Sequence, residues 1–220
     1  MFLVPSDYKT FIREDALDEL VDQNPESLEN AEKIAIEEAA GYIRHRYDEA
    51  KVFASVKPFL ASSSYLTGDS IYIFADQYSR KTYALNDTCE QEGICYINTT
   101  AITVPEPFTP SKWTKIAKNG AVFTAIADAS GIDISDEAKF KKTDSRNPKM
   151  VQVVVDILLY HLHSAISPRN IPTSRAVRYD GQGNVKDGES AISYLLKVQK
   201  GTITPNLPVK VDADGTAPQR

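Results

Sequence analysis

Residues 147–166, NPKMVQVVVDILLYHLHSAI, decide the fold of this chain. From Met150 to Ile166 the stretch is apolar on nearly every side, and its three consecutive valines favour a β-strand locally. Its length favours a helix instead, and so does the Asn147-Pro148 pair, which is typical of a helix N-cap followed by proline at the first helical position. We therefore predict a helix that is buried on most of its sides and ends before Pro168.

Helical periodicity returns on both sides of this stretch. We predict a short helix over 6–22 and a long one over 25–47, where apolar residues recur at a spacing of three and four. Acidic residues at the start of the long helix and basic residues at its end match the helix dipole. Further helices are predicted over 172–181 and 189–200, with Gly201 in the position of a C-cap glycine.

Residues 49–145 have a different character, because Pro, Ser, Thr, Tyr and Gly increase and helical periodicity fades. The pattern predicts strands, the first two joined as a hairpin at Ala75-Asp76. The predicted strands are 70–74, 77–85, 95–97 and 113–117. Residues 121–129 fit a short helix or a strand. We interpret this region as a small antiparallel β module with long loops.

These patterns predict an α+β protein in which a small α-helical bundle is interrupted by an inserted domain. The helical core comprises 1–48 and 146–201, the inserted β-rich domain 49–145, and an extended C-terminal arm 202–220. Such insertions are tolerated where the two ends of the insert meet at the surface of the host domain.

Composition limits the function. The chain has 220 residues, of which 42% are hydrophobic, and this is enough for a buried core. A net charge of −5 argues against a protein that binds nucleic acid phosphates. It suits a channel wall that DNA passes without being bound. We expect no membrane contact, because the chain lacks a run of about 20 apolar residues. We also expect no signal peptide.

The two cysteines, Cys89 and Cys95, lack the further Cys or His residues of a metal site. We interpret them as two ordinary thiols. A disulfide that closes a small loop is the alternative and would need an oxidising compartment.

Asp156 is the residue that most needs an explanation, since a carboxylate inside an apolar helix is costly unless it is paired. We predict a structural ion pair with Arg44 and Arg46 at the end of the long helix. The alternative is a catalytic carboxylate that acts with His161 in a small hydrolase. Because neither a nucleophile motif nor a phosphate loop occurs, we expect no enzyme, no catalytic residue, no cofactor and no metal.

Aromatic residues are dense in the inserted region. Tyr72, Tyr83 and Trp113 are candidates for an interface on the insert, where exposed rings stack on sugars or anchor a protein partner. The alternative is that these rings form the core of the module.

Several stretches resemble the phage head–tail adaptor (connector) proteins of the Mu-like head–tail joining type. The similar stretches lie in both flanks of the insert: 12–17, 32–39, 42–48, 146–148, 155–162, 171–172, 178–180 and 201–208. In the insert, residues 65–72, Tyr83 and 113–117 resemble small carbohydrate-binding-like modules found on phage structural proteins.

The resemblance implies a structural virion protein, made in the host cytoplasm and located at the head–tail interface. It implies a homo-oligomeric ring, usually a dodecamer, that docks under the portal protein and offers a surface to further tail or stopper proteins. DNA then passes through the ring without sequence-specific binding. The alternative function is a glycan- or protein-binding module carried on a helical base.

Acidic residues of the first helix are candidates to line the lumen of such a ring. They are Glu14, Asp15, Asp18 and Glu19. The alternative is a solvated helix face without a partner.

Overall fold

The computed structural model describes residues 1–21, 25–166, 168–181 and 190–211. The chain divides into two compact units: a helical unit of Met1–Ser55 with Arg146–Arg220, and a β unit of Val56–Ser145. The predicted α+β class, with a helical region and a β module, is confirmed. Glu189 of the last predicted helix and residues 212–220 of the predicted arm lie outside the described residues.

Helices account for most of the helical unit. They are α1 Pro5–Tyr8, α2 Glu14–Val21, α3 Pro25–Ile43, α4 Glu49–Val52, α5 Pro148–Ile166, α6 Thr173–Asp180 and α7 Ala191–Gln199. Nine of the 19 residues of α5 are buried, and α5 contacts α1, α2, α3, α6 and α7. The apolar helix predicted from the sequence is therefore the centre of this unit.

The ends of two helices follow the predicted chemistry. At the start of α5, Asn147 Oδ1 accepts hydrogen bonds from the backbone N–H groups of Lys149 and Met150, at 3.0 and 3.1 Å. After α7, Gly201 has a φ of +73°, and its N–H donates to the carbonyl of Val198. This left-handed residue is the glycine C-cap that the sequence predicts.

Three boundaries differ from the prediction. The helix predicted over 6–22 is interrupted, because α1 ends at Tyr8 and α2 begins at Glu14; residue 22 lies outside the described residues. The long helix ends at Ile43, since Tyr47 forms an isolated antiparallel bridge with Val209 of the arm. The β unit begins at Val56 and not at 49, because α4 still belongs to the helical unit.

The β unit contains three small sheets. Their strands are β1 Lys57–Pro58, β2 Ser64–Tyr65, β3 Ser70–Tyr72, β4 Thr88–Gln91, β5 Ile94–Asn98, β6 Trp113–Lys118, β7 Val122–Ala125, β8 Ala129–Ser130 and β9 Phe140–Lys141. The strand orders are β1-β3-β7-β9, β4-β5-β6 and β2-β8. The β1–β3 pair is parallel, and the other described strand pairs are antiparallel.

The predicted strand over 77–85 and its hairpin at 75–76 are wrong. This segment forms isolated bridges, Gln77 to Glu90 and Tyr83 to Ile102, and no β ladder. The rings of Tyr78 and Tyr83 stack with their centroids 5.3 Å apart. A strand would direct two side chains five positions apart to opposite faces, so the stacking of these rings excludes a regular strand.

Gly131 is the glycine that the β unit can least replace. A Cβ at this position would lie 2.2 Å from the carbonyl oxygen of Leu60 and 2.9 Å from the Cα of Ala61. We expect Gly131→Ala to lower the free energy of unfolding by about 1–3 kcal/mol, because backbone atoms must shift to admit the methyl group.

Thermal denaturation measures this effect, with Gly41→Ala as the control. Gly41 lies in α3, where a Cβ meets nothing within 4 Å, so alanine raises stability there by up to about 1 kcal/mol. An unchanged melting temperature for Gly131→Ala would contradict the close approach.

Candidate functional site

Asp156 and His161 are polar residues of α5 that bind neighbouring helices, Asp156 binding α6 and His161 binding α3. Asp156 is 3% exposed, and its Oδ1 accepts a hydrogen bond from Arg178 Nη1 of α6 at 3.2 Å. Burial raises the pKa of the Asp156 carboxyl, and the positive charges of Arg178, Arg175 and Lys149 oppose this shift. The Asp156 carboxyl is thus a buried group whose ionised form is stabilised in part by the nearby cations.

The predicted ion pair of Asp156 with Arg44 and Arg46 is wrong. Arg44 is bound to Glu37 at 2.6 Å and to Glu49 at 3.2 Å, at the surface of the helical unit. The guanidinium of Arg46 lies over the ring of Tyr47, 5.7 Å from its centroid. These arginines follow the end of α3 at Ile43, whereas α6 supplies the cation that reaches the middle of α5.

His161 belongs to a second polar network. Its Nε2 lies 2.7 Å from Glu38 Oε2, and the hydroxyl of Tyr179 donates to Glu38 Oε1 at 2.7 Å. The hydrogen bond from His161 lowers the pKa of Glu38, while burial and the bond to Glu38 raise the pKa of Tyr179. The rings of Tyr160 and Tyr179 stack above this network, 3.9 Å apart. One carboxylate thereby joins α3, α5 and α6.

Polar contacts hold α6, which has no fully buried residue. Besides the bonds of Arg178 and Tyr179, Arg175 Nη2 donates to the carbonyl of Phe11 at 2.9 Å. Arg178 also lies 5.1 Å from the centroid of the Phe11 ring. This helix is therefore positioned by directed contacts, which fix its orientation more closely than apolar packing alone.

Asp156 and His161, considered from the sequence as a catalytic pair, bind separate partners: Asp156 accepts from Arg178, and His161 lies against Glu38. Within the described ranges, no group of three or more His, Cys, Asp or Glu side chains is arranged to hold a metal ion.

A buried network that sequence reasoning missed holds the first residues. Glu32 is 2% exposed, and its Oε1 accepts the backbone N–H groups of Phe2 and Leu3 at 2.6 and 3.0 Å. Arg146 binds Asp7 at 2.6 Å and the carbonyl of Phe2 at 2.7 Å. Glu32 lies on the same helical face as the buried Ala35 and Ala39, which is the signal that identifies it as buried.

The four lumen candidates all lie on α2 and are exposed. Lys9 is 3.6 Å from Glu14, and Arg13 is 2.7 Å from Asp15. Asp18 and Glu19 are on the same helix. The structure places these four acidic side chains on one short surface helix, and their role in a lumen stays a prediction.

The insert candidates separate into two groups. Tyr83 and Trp113 are buried, with centroids 5.1 Å apart, in a cluster with Tyr78 and Phe108, so they form an internal core and not an exposed interface. Tyr72 is half-buried and stacks on the exposed ring of Phe74. Of the three, Tyr72 is the one that is not fully buried.

Cys89 and Cys95 are free and buried. Cys89 is paired with Tyr96 in the β4–β5 ladder, and Cys95 with Glu90, so the two thiols point to opposite faces of the sheet. Side chains on opposite faces cannot form the disulfide considered as the alternative. Burial raises the pKa of Cys89 to about 12 and that of Cys95 to about 11, so both are unreactive thiols.

Comparison of the chain with family models, curated proteins and solved structures finds no match.

Among the described residues, the helices are too short or too polar to cross a lipid bilayer.

The partner of Asp156 is tested by a double-mutant cycle. We expect Asp156→Ala to lower the free energy of unfolding by about 1–3 kcal/mol, because it leaves Arg178 without its acceptor. In the cycle with Arg178→Ala, we expect a coupling free energy of about 1 kcal/mol between the two substitutions. In the cycle with Arg44→Ala, we expect no coupling. Chemical denaturation measures both cycles, and coupling to Arg44 would contradict the observed pair.

Acidification tests the Glu38 network. Because the pKa of folded Glu38 lies below its ordinary value of 4.5, the ionised carboxylate stabilises the fold above pH 4.5. This contribution is lost as the pH falls through the folded pKa. We therefore expect Glu38→Gln to be less stable than the wild type at neutral pH, with a difference in melting temperature that narrows below pH 4.5.

The matched control is Glu37→Gln, on the same helix but 75% exposed at its side chain. We expect the melting temperature of Glu37→Gln to differ little from that of the wild type, and this difference to vary little with pH. A difference in melting temperature between Glu38→Gln and the wild type that stays constant from pH 7 to pH 3 would rule out the stabilising role of ionised Glu38.

Proposed function

We propose that this chain is a structural virion protein, a head–tail adaptor that forms a ring under the portal and extends the DNA channel. One observation carries the proposal: all the stretches in the two flanks that resemble the adaptor family fall in the helical unit, which is a compact body of its own. None of them falls in the β unit between them.

The residues in those stretches support the proposal through their contacts. Glu38, Asp156 and His161 connect three helices, and Gly201 ends α7. Arg146 secures the first residues. A resemblance carried by residues that stabilise the fold points to a shared helical framework and not to shared catalytic chemistry.

The surface of the helical unit suits assembly. The arm beyond α7 is tied by its bridge at Tyr47, yet Val209 and Val211 are 46% and 55% exposed. Extended segments with exposed apolar side chains are suited to pairing with a neighbouring subunit. The acidic α2 repels phosphate, as a channel wall for DNA requires.

Electron cryomicroscopy tests this function. We expect the protein, mixed with the portal protein encoded in the same genome, to form a ring that continues the portal channel and has the side chains of Glu14, Asp15, Asp18 and Glu19 towards its axis. Monomers that do not associate with that portal would overturn the proposal. A ring with these residues on its outer surface would overturn only the lumen assignment.

One observation favours the second candidate, a glycan- or protein-binding insert. Tyr72 and Phe74 are stacked at an interplanar angle of 12°, and Phe74 is 53% exposed. Flat exposed rings are platforms for sugar faces. Binding to a glycan array that is lost in Phe74→Ala would support this candidate, whereas an array without any signal would remove its carbohydrate form.

A further inference from the structure

A cleft of about 480 Å³ opens in the β unit, beside two strands that end their sheets. β6 is the edge of the three-stranded sheet, and β9 is the edge of the four-stranded one. Residues of both strands line the cleft together with β7. Because the two edges belong to different sheets, the gap between them leads directly to the core of the unit.

The floor of this cleft is apolar. Ile116, Phe123, Ile134 and Phe140 line it, are at most 5% exposed and belong to the main core of the β unit. Ile126 stands at the mouth and is 46% exposed. An apolar side chain that entered here would bury its own surface and that of Ile126 against a preformed wall.

Three lysines surround this floor: Lys115, Lys141 and Lys142. All are exposed, and in the part of the chain that the structure describes none of them forms an ion pair. By contrast, Lys139 nearby is bound to Asp133 at 2.9 Å. Glu137 is the acidic residue of the lining. The cleft is thus a cationic mouth in a chain of net charge −5.

We propose that this lysine-rimmed cleft binds an acidic peptide segment of a partner protein, which inserts one bulky apolar side chain between the lysines. Carboxylates of the segment pair with Lys115 and Lys141, while the apolar side chain contacts the floor beside Ile126. The combination selects for both properties, because an apolar peptide leaves the lysines unpaired and a merely acidic one leaves the floor uncovered. The inference does not depend on ring formation.

The floor disfavours a nucleic acid as the ligand. Binding of a single strand uses exposed aromatic faces on which bases stack. Phe123 and Phe140 are only 1% and 2% exposed, and Lys142 lies over the ring of Phe123 at 6.0 Å.

Fluorescence anisotropy with labelled peptides tests the proposal on the full chain. The probe is a nine-residue peptide of aspartate and glutamate with one central phenylalanine. We expect Lys115→Glu/Lys141→Glu to weaken its binding at least about tenfold, and Ile126→Asn to weaken it about threefold to tenfold. The matched control is Lys118→Glu/Lys210→Glu, which makes the same change in charge outside the cleft and should leave the affinity within about twofold.

Several outcomes would overturn the proposal. They are an absence of binding, equal losses in the cleft variant and the charge-matched control, and equal binding of a peptide with glycine in place of phenylalanine. Tighter binding of a single-stranded oligonucleotide would assign the cleft to nucleic acid. Self-association that disappears in the cleft variant would assign it to a second copy of this chain. Circular dichroism of each variant ensures that a loss of binding is not a loss of fold.

Discussion

An apolar helix in water must be covered on every side, and α5 imposes this requirement on the whole helical unit. Its buried residues face α3 from the first flank of the chain and α6 and α7 from the second. The two flanks therefore have to fold together, although the entire β unit lies between them in sequence. The β unit in turn closes a core of its own, built around residues such as Tyr65, Ile71 and Phe123.

Apolar contacts alone do not specify the rotation of the helices around α5, and polar hydrogen bonds constrain it. Asp156 accepts Arg178 from α6, and Glu38 of α3 accepts both His161 and Tyr179. A rotation of α6 would leave the buried carboxylate of Asp156 without Arg178, and a rotation of α3 would break both hydrogen bonds of Glu38. These few polar bonds thus select one packing arrangement among the many that would cover the same apolar surface.

Local signals explain what could be predicted from the sequence. The cap at Asn147, the length of α5 and the glycine after α7 each depend on a few neighbouring residues, and each was predicted correctly. The need of Asp156 for a cation was also visible. Which arginine meets it depends on how α3 and α6 cross α5, and the sequence does not contain that geometry in any local form.

The β unit was harder to predict than the helical unit, because fewer of its features depend on neighbouring residues in the sequence. Its strands are two to six residues long, so alternation has little length in which to appear, and the aromatic residues of 77–85 gave a false strand. Tyr78 and Tyr83 are held by ring stacking and not by a ladder. The lysine-rimmed cleft was equally invisible, because Lys115 and Lys141 come together only through the meeting of two sheet edges.

The polar side chains around α5 and the lysines of the proposed cleft differ in their partners. In the helical unit, Asp156, Glu38 and Glu32 are bound by groups of the same chain, and their hydrogen bonds connect its segments. In the β unit, Lys115 and Lys141 stand exposed beside an apolar floor, where a carboxylate supplied from outside gains both a counter-charge and a dry contact. The proposed recognition site therefore lies in a different unit from the polar network around α5, so we expect a substitution in the cleft to alter peptide binding without altering the helices.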